Sequence, residues 1–280
     1  MILNDNSQTA YARPKKRLGQ HFLINRDVAR RIVETAHLQS HDTVLEIGAG
    51  KGALTGYLLS QVRRVIAVEI DPALCAGLDK TFGAPPGLVL LNQDILEIQW
   101  EPWIEWAEGR PLVVVGNLPY QITSPVLFTL IQHRTQVSRA ILMVQHEVAQ
   151  RLGACPGTRT YGILSIMVQR YSRVRVHFKV GPTCFYPPPR VDSSVVELNF
   201  TKSISPVPRD EALFKAMVKA AFQQRRKMLK NALSSFVTPL EALEKAARSA
   251  SIDLRRRPEA LSIEEFVRLS DAIQIMNYEL

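Results

Sequence analysis

The chain has 280 residues, of which 46% are hydrophobic, so it can bury the core of one large domain or of two ordinary ones. Its formal charge of +9 favours a polyanionic partner such as a nucleic acid. The three cysteines show no metal-ligand spacing, and their odd number argues against a disulfide framework. No apolar run reaches the length of a transmembrane helix, and the N-terminus has no apolar signal-peptide core. We therefore expect a cytoplasmic protein without a metal ion and without a membrane partner.

The N-terminal region is basic. Residues 1–16 are predicted to form a flexible tail, and the segment 13–31 holds seven basic residues and one acid, Asp27. Asn25 is a typical helix N-cap, and apolar residues follow it at the i, i+4, i+8 spacing of a helix face. Clustered cations of this kind are what a surface that contacts phosphates requires.

A glycine cluster follows the first predicted strand, 43–47. The segment 46–52 reads Glu-Ile-Gly-Ala-Gly-Lys-Gly and leads into a predicted helix near 52–61. Glycine lets the backbone approach a ligand closely at such a strand-to-helix turn, which makes Gly48 and Gly50 candidate ligand-binding residues.

Acidic residues end the next two predicted strands. The strand 64–69 ends at Glu69, nineteen residues after Gly50, where a carboxylate can hold both hydroxyls of a ribose. The strand 88–93 is followed by Asp94, which could accept from an adenine amino group. The spacing also fits NAD, although the loop does not follow the G-x-G-x-x-G fingerprint. Together with Asn117, this set of residues favours S-adenosylmethionine over NAD.

The tetrapeptide Asn-Leu-Pro-Tyr follows a strand predicted at 112–116. The side-chain oxygen of Asn117 and the carbonyl of Leu118 can accept the two hydrogens of an exocyclic amine, and Tyr120 can stack on the ring that carries it. That combination suits an adenine or a cytosine outside its base stack. The alternative is an ordinary polar turn at the end of a strand.

Strands and helices continue to alternate, with a helix predicted at 72–81, a helix from about 124 and a strand at 139–145. This pattern predicts an α/β fold with a parallel sheet and helices on both faces. Ligands bind such sheets at the carboxyl ends of the strands, so we expect one site to gather four of the candidate residues. They are Gly48, Glu69, Asp94 and Asn117.

The C-terminal third changes character. Strands predicted at 174–180 and 195–200 flank the proline-rich turn 187–189, which is either a plain connector or a loop that places Phe185 beside a target base. A linker at 203–208 then precedes helical patterns at 211–232, at 240–250 and after a capping box that begins at Ser262. We predict a small all-helical domain at 209–280.

Four basic residues of the helical region are candidates for contact with RNA. The segment 212–240 contains six basic residues and no acid. The alternative is a solvated helix face. The candidates are Arg225, Arg226, Lys227 and Lys230.

Taken together, the motifs resemble those of the ribosomal RNA adenine N6,N6-dimethyltransferases. The matching segments follow the family's order and span roughly residues 13–280; they are 17–23, 46–55, 68–71, 93–95, 117–120, 185–193 and 222–227. The resemblance implies a Rossmann-like S-adenosylmethionine-binding catalytic domain at 17–202 and the cofactor S-adenosylmethionine. The cofactor-binding residues that it implies are His21, Leu23, Gly48, Gly50, Glu69, Ile70, Asp94, Ile95 and Asn117. His21 stands where many relatives carry Asn, so the cofactor contact there involves either the side chain or only the backbone.

The resemblance also implies the reaction and the substrate. The enzyme would dimethylate N6 of two adjacent adenines in the 3′-terminal hairpin loop of small-subunit rRNA, with catalytic roles for Asn117, Leu118, Tyr120 and Phe185. Its partner would be small-subunit rRNA within a partly assembled 30S-type subunit, and the protein would act as a monomer. Two alternatives stay open. One is a resistance-type methyltransferase of large-subunit rRNA, and the other is a non-catalytic ribosome assembly factor on the same fold.

Overall fold

The computed structural model describes residues 14–15, 18–201 and 206–278. The predicted flexible tail 1–16, apart from residues 14 and 15, lies outside the described residues, as does the first half (203–205) of the predicted linker 203–208.

A seven-stranded sheet forms the centre of the fold, with the strand order β4-β3-β2-β5-β6-β9-β7. Its strands are β2 (Thr43–Ile47), β3 (Arg64–Val68), β4 (Leu88–Leu91), β5 (Leu112–Asn117), β6 (Val137–Gln145), β7 (Arg173–Val180) and β9 (Ser193–Asn199). The five strands from β2 to β6 pair in parallel. All five residues of β2 and the first five of β5 are buried, which explains the continuous apolar run of β5 and the apolar residues of β2 around Glu46. Two short strands, β1 (Phe22–Leu23) and β8 (Phe185–Tyr186), form a separate antiparallel ribbon.

Helices connect most of the strands. In chain order they are α1 (Arg26–Thr35), α2 (Thr55–Leu59), α3 (Pro72–Phe82), α4 (Glu101–Trp106), α5 (Thr123–Gln132), α6 (His146–Leu152), α7 (Ile163–Tyr171), α8 (Glu211–Gln223), α9 (Leu229–Leu233), α10 (Leu240–Ser249) and α11 (Ile263–Tyr278). Helix α1 begins where the sequence predicts, because the Asn25 side chain accepts a hydrogen bond of 3.0 Å from the Val28 N–H.

The strand order reverses direction at β2. The chain moves outward from β2 to β4 and then returns to place β5 on the other side of β2. Because parallel crossovers are right-handed, the helices of the two halves cover opposite faces of the sheet. The carboxyl ends of β2 and β5 therefore border the crevice in which doubly wound sheets bind their ligands.

The described residues form two compact units. The first comprises the chain up to Gln145 together with Phe178–Val196, and the second comprises His146–His177 with the chain from Glu197 onward. This division differs from the boundary predicted near residue 209, because α7 shares a core with α8, α10 and α11. Ile166 and Met167 belong to that core with Phe214 and Phe266. A change of composition after the last strand does not reveal which earlier helices pack with the later ones.

The predicted helix at 211–232 is two helices in the structure. Helix α8 ends at Gln223, and α9 begins at Leu229 after the extended residue Met228. The first amides of α9 do not continue the α8 ladder but donate to the carbonyls of Arg256 (2.8 Å) and Leu254 (3.0 Å). Tertiary hydrogen bonds therefore override a helical pattern that the sequence carries without interruption.

Candidate active site

A cavity of ≈ 290 Å³ opens at the carboxyl ends of β2, β3, β4 and β5. That volume lies just below the range of about 300–1,000 Å³ usual for small-molecule sites. The structure brings ten of the predicted site residues to its wall. They are His21, Gly48, Gly50, Glu69, Ile70, Asp94, Ile95, Asn117, Leu118 and Tyr120.

The glycine loop exposes its backbone to the cavity. Gly48 and Gly50 have φ angles of +70° and +59°, a conformation that is strained for residues with a side chain. The Gly48 N–H donates to the Val68 carbonyl (2.9 Å), and the Gly50 N–H donates to Oε2 of Glu69 (2.8 Å). The loop is therefore fixed against β3 and leaves no side chain of its own between the backbone and a ligand at these two positions.

Glu69 is a buried carboxylate held by backbone amides. Oε2 accepts from Gly50, and Oε1 accepts from the Asp71 N–H (2.9 Å). Burial raises the pKa of Glu69, while these two hydrogen bonds act in the opposite direction by favouring the charged form. A carboxylate offers about four acceptor positions, so Glu69 can still accept from the two hydroxyls of a ribose.

Asp94 offers a second acceptor farther along the same edge. The Leu96 N–H donates to Oδ1 (3.0 Å), which orients the carboxyl group and leaves Oδ2 available for an exocyclic amine. Ile70 and Ile95 add apolar side chains to the cavity wall beside these acids. Two acids and apolar surface are the groups that an adenosine needs, so the residues present fit S-adenosylmethionine.

Asn117 has a defined amide orientation. Its Nδ2 donates to the backbone carbonyl of His21 (3.1 Å), and a carbonyl can only accept, so the nitrogen must face His21. Oδ1 therefore lies on the opposite side of the amide. Leu118 is anchored by its N–H to the Met143 carbonyl (3.1 Å) and its side chain is buried, so only its backbone can face a ligand.

Tyr120 is held by groups from two other segments. Its hydroxyl shares a hydrogen bond of 2.8 Å with Oγ of Ser193. Its ring stacks on the imidazole of His21, with centroids 5.7 Å apart and planes 29° from parallel. His21 in turn donates from Nδ1 to the Pro187 carbonyl (2.7 Å). Burial raises the pKa of Tyr120, so its hydroxyl is neutral at physiological pH.

Phe185 does not line this cavity, and its predicted place beside a target base stays a prediction. Phe185 is 3% exposed and packs in the core of the first unit with Leu23. The physical reason is the alternation of a strand, in which Phe185 faces the core and Tyr186 faces outward. Leu23 also lies off the main cavity, but it borders a smaller recess with Gly48 and Gly50. Its contact with the cofactor stays a prediction.

Sequence reasoning missed Asp71, which ties the N-terminal segment to the site. Asp71 accepts from Nζ of Lys15 (2.8 Å) and from Nε2 of Gln20 (3.3 Å), and it caps α3 through the Ala73 N–H (3.1 Å). Burial raises its pKa, but these partners outweigh burial and the net pKa is lowered. The Asp-Pro pair at the start of α3 is a helix-start signal that would have found it.

Glu46 is also buried, behind the glycine loop. Its Oε2 accepts from the hydroxyl of Thr55 (2.7 Å), which links β2 to the first residue of α2. Burial raises the pKa of Glu46 to about 8, with a further contribution from the nearby carboxylate of Glu69. Glu46 is therefore mostly protonated at neutral pH and acts as a neutral spacer rather than as a second charge.

The four candidate RNA-binding cations differ in their surroundings. Arg225 pairs with Glu259 (2.9 Å) and donates to the carbonyls of Arg159 and Tyr161, and Lys230 pairs with Glu244 (2.8 Å). Arg226 and Lys227 are exposed, and within the described part of the chain neither forms a side-chain hydrogen bond or ion pair. Two of the four therefore already have protein partners.

The described residues contain neither a candidate membrane span nor a candidate metal site. Over the described residues, no helix combines the length and the apolar character that crossing a membrane requires. The same residues contain no group of three or more His, Cys, Asp or Glu side chains arranged to hold a metal ion.

Known proteins resemble the chain over almost its full length. It is 43% identical over 262 residues to the ribosomal RNA small subunit methyltransferase A of Syntrophotalea carbinolica, covering 94% of this chain and 97% of that one. It is 42% identical over 267 residues to the protein of the same name from Bacillus mycoides, covering 92% and 91% of the two chains.

Solved structures share the fold. A dimethyladenosine transferase from Plasmodium falciparum aligns with a TM-score of 0.74 at 26% identity, covering 89% of this chain and 96% of that one. The 23S rRNA methyltransferase ErmE aligns with a TM-score of 0.68 at 27% identity, covering 90% and 99%.

A model of the family described as ribosomal RNA adenine dimethylase matches residues 12–274. Together with the relatives above, this match confirms the predicted fold class, the predicted cofactor and the predicted enzyme class. The chain belongs to the ribosomal RNA adenine dimethylase family.

Proposed function

We propose that the protein transfers methyl groups from S-adenosylmethionine to N6 of two adjacent adenines in the 3′-terminal hairpin loop of small-subunit rRNA, and that each adenine is methylated twice. The small-subunit assignment is supported by the name of the relatives at 42–43% identity, which span nearly the whole chain. The adenine assignment is supported by the family match. The choice of hairpin follows from the resemblance of the motifs.

One observation carries the chemistry, namely the orientation of the Asn117 amide. Because Nδ2 is committed to the His21 carbonyl, Oδ1 is the atom that can accept from an N6 hydrogen of adenine. The Leu118 carbonyl is the second acceptor in the proposal. Two acceptors at the amine localise the nitrogen lone pair and stabilise the charge that develops as the new bond forms.

The cofactor, when bound, supplies an electrophilic methyl group on a positively charged sulfur. Glu69 would hold its ribose, and Asp94 its adenine amine, with Ile70 and Ile95 packed against its base. These contacts fix the position of the methyl group relative to Asn117, so proximity lowers the barrier. The methylated nitrogen loses its proton to water, because neither an amide nor a neutral tyrosine is a base at physiological pH.

The target adenine must leave its base stack to reach Asn117, at a cost of about a few kcal/mol. Tyr120 would offer the flat surface that receives it. Its ring has little freedom, because Ser193 holds the hydroxyl and His21 packs on one face. Only the other face of the ring is then left to stack on the base.

The substrate is larger than one base. We assign catalysis to the sheet-bearing domain 17–202 and phosphate contact to the helical region 209–280, chiefly through Arg226 and Lys227, the two candidate cations with no protein partner among the described residues. The proposed substrate is a partly assembled small subunit in the cytoplasm, and the proposed state of the enzyme is a monomer.

Three substrates test the proposal: undermethylated small subunits, the isolated 3′-terminal hairpin and large-subunit RNA. Mass analysis of the digested RNA should find dimethyladenine at two adjacent positions of the small subunit. Dimethyladenine only on large-subunit RNA would overturn the assignment in favour of the large-subunit alternative, and the 23S rRNA methyltransferase ErmE, which shares the fold, is named for such a substrate. Cofactor binding without transfer to any of the three would favour the assembly factor.

A further inference from the structure

The two aromatic residues of β8 face opposite ways. Phe185 is 3% exposed and lies in the core, while its neighbour Tyr186 is 58% exposed. The antiparallel register pairs Tyr186 with Phe22, and residues paired across strands project from the same side of a ribbon. Phe22 lies on the cavity wall, so Tyr186 projects from the side of the ribbon that faces the cavity.

The next residue places Tyr186 at the rim of the cavity. The Pro187 carbonyl accepts the 2.7 Å hydrogen bond from Nδ1 of His21, whose ring stacks on Tyr120. Tyr186 therefore lies at the rim of the cavity, because the residue after it is hydrogen-bonded to His21 in the cavity wall. Tyr186 itself is not among the residues that line the cavity.

The surroundings of Tyr186 suit RNA. Ile24 and Val191 are 58% and 46% exposed on the segments that continue β1 and β8. Arg190 is exposed on the same loop, and Nζ of Lys51 lies 4.6 Å from the centre of the Phe22 ring. An exposed aromatic ring with cations nearby is the arrangement by which proteins bind single-stranded nucleic acid.

We propose that Tyr186 stacks on a nucleotide that flanks the adenine being methylated, an inference that rests on the proposed function. Turning the target adenine into the cavity removes the stacking partner of its neighbour. The ring of Tyr186 replaces that partner and holds the RNA strand open at the mouth of the site. Tyr186 is thus an RNA-binding residue, while Phe185 supports the ribbon from the core side.

The test compares Tyr186→Ala and Tyr186→Phe with the wild-type protein on undermethylated small subunits. Loss of the ring should raise KM roughly 5- to 150-fold, the range expected for one base–aromatic stack, with kcat unchanged. Tyr186→Phe keeps the ring and should retain the wild-type KM. Phe128→Ala is the matched control, because Phe128 is another exposed aromatic (38%) that does not line the cavity.

A second measurement reports stacking directly. The 2-aminopurine fluorescence of a hairpin that carries this base beside the target adenine should be quenched by the wild-type protein and by Tyr186→Phe. Tyr186→Ala should quench it less. Cofactor affinity and melting temperature should be equal in all variants. A wild-type KM for Tyr186→Ala, or an equal rise of KM in Tyr186→Phe, would overturn the inference. A wild-type protein that forms no dimethyladenine on small subunits would instead overturn the proposed function.

Discussion

The cavity at the strand ends and the basic segment 223–230 use their polar groups in different ways. In the cavity, Glu69 and Asn117 are oriented by backbone amides and carbonyls, and burial raises the pKa of Glu69. In the basic segment, Arg226 and Lys227 are exposed and screened by solvent, while Arg225 is already paired with Glu259. Oriented groups in a cavity can do chemistry, whereas exposed cations add affinity that depends on salt.

The largest effect should come from Asn117. Asn117→Ala removes Oδ1 from the amine site, so we expect kcat to fall about 10²–10³-fold, the usual cost of one oriented hydrogen-bonding group. RNA binding should be nearly unchanged. Asn92→Ala is the matched control, since Asn92 also follows a strand, donates to the Glu69 carbonyl (2.8 Å) and does not line the cavity. A wild-type single-turnover rate of methyl transfer in Asn117→Ala would show that Asn117 takes no part in catalysis.

The next effect concerns the cofactor. Glu69→Ala removes charge-assisted hydrogen bonds that contribute about 1.5–3 kcal/mol each, so affinity for S-adenosylmethionine should fall at least about tenfold. Glu97→Ala, which removes an exposed acid of the same charge, should leave the affinity unchanged. Calorimetry separates the two variants. Equal affinities would show that Glu69 only organises the glycine loop.

A third prediction divides the basic segment. Arg226→Ala combined with Lys227→Ala should weaken RNA binding and reduce the slope of log affinity against log salt by about 1 to 2, because two phosphate contacts are lost. Arg225→Ala should instead lower the melting temperature, since its guanidinium bonds Glu259 and two backbone carbonyls. Fluorescence titration at several salt concentrations measures the slope. An unchanged slope in the double variant would make this segment a solvated surface.

The smallest effect on activity is expected at Glu46, where a substitution changes stability instead. Burial raises its pKa in the folded protein from the ordinary value of a glutamate to about 8. Because the folded state holds the proton more tightly than the unfolded state, stability is full below the unfolded pKa and declines as pH rises towards 8. Glu46→Gln removes this decline and can still accept from Thr55. Denaturation experiments from pH 5 to 8 should show the free energy of unfolding of the variant rising relative to that of the wild-type protein, by about a few kcal/mol over this range. Parallel curves would show that Glu46 does not titrate in this range.

Local patterns predicted the parts of the fold that local physics controls. Apolar β-branched runs became strands, Asn25 became an N-cap, and Gly48 and Gly50 adopted the positive φ angles that favour glycine. The position of each candidate at the end of a strand was enough to predict the cavity. Neighbouring parallel strands end at the same edge of a sheet, so polar residues at those ends must meet.

Other properties depended on partners that are distant in the chain. The pairing of β8 with β1 turns Phe185 into the core and leaves Tyr186 exposed, and the sequence pattern did not predict this pairing. The predicted catalytic domain 17–202 includes α7, but Ile166 and Met167 of this helix belong to the core of the C-terminal helices.

Local sequence patterns were enough to predict the strands β2 to β6, the glycine loop, and the acidic or amide group at the ends of β3, β4 and β5. The direction of the Asn117 amide could not be predicted in this way, since it depends on the His21 carbonyl. The tertiary structure also decided which cations are available to RNA, since Glu259 and Glu244 come from elsewhere in the chain. The difference lies in the sequence separation of the residues that interact. Backbone preferences and strand ends depend on neighbouring residues, whereas the direction of a side chain is set by the hydrogen bonds and packing of residues that folding brings together.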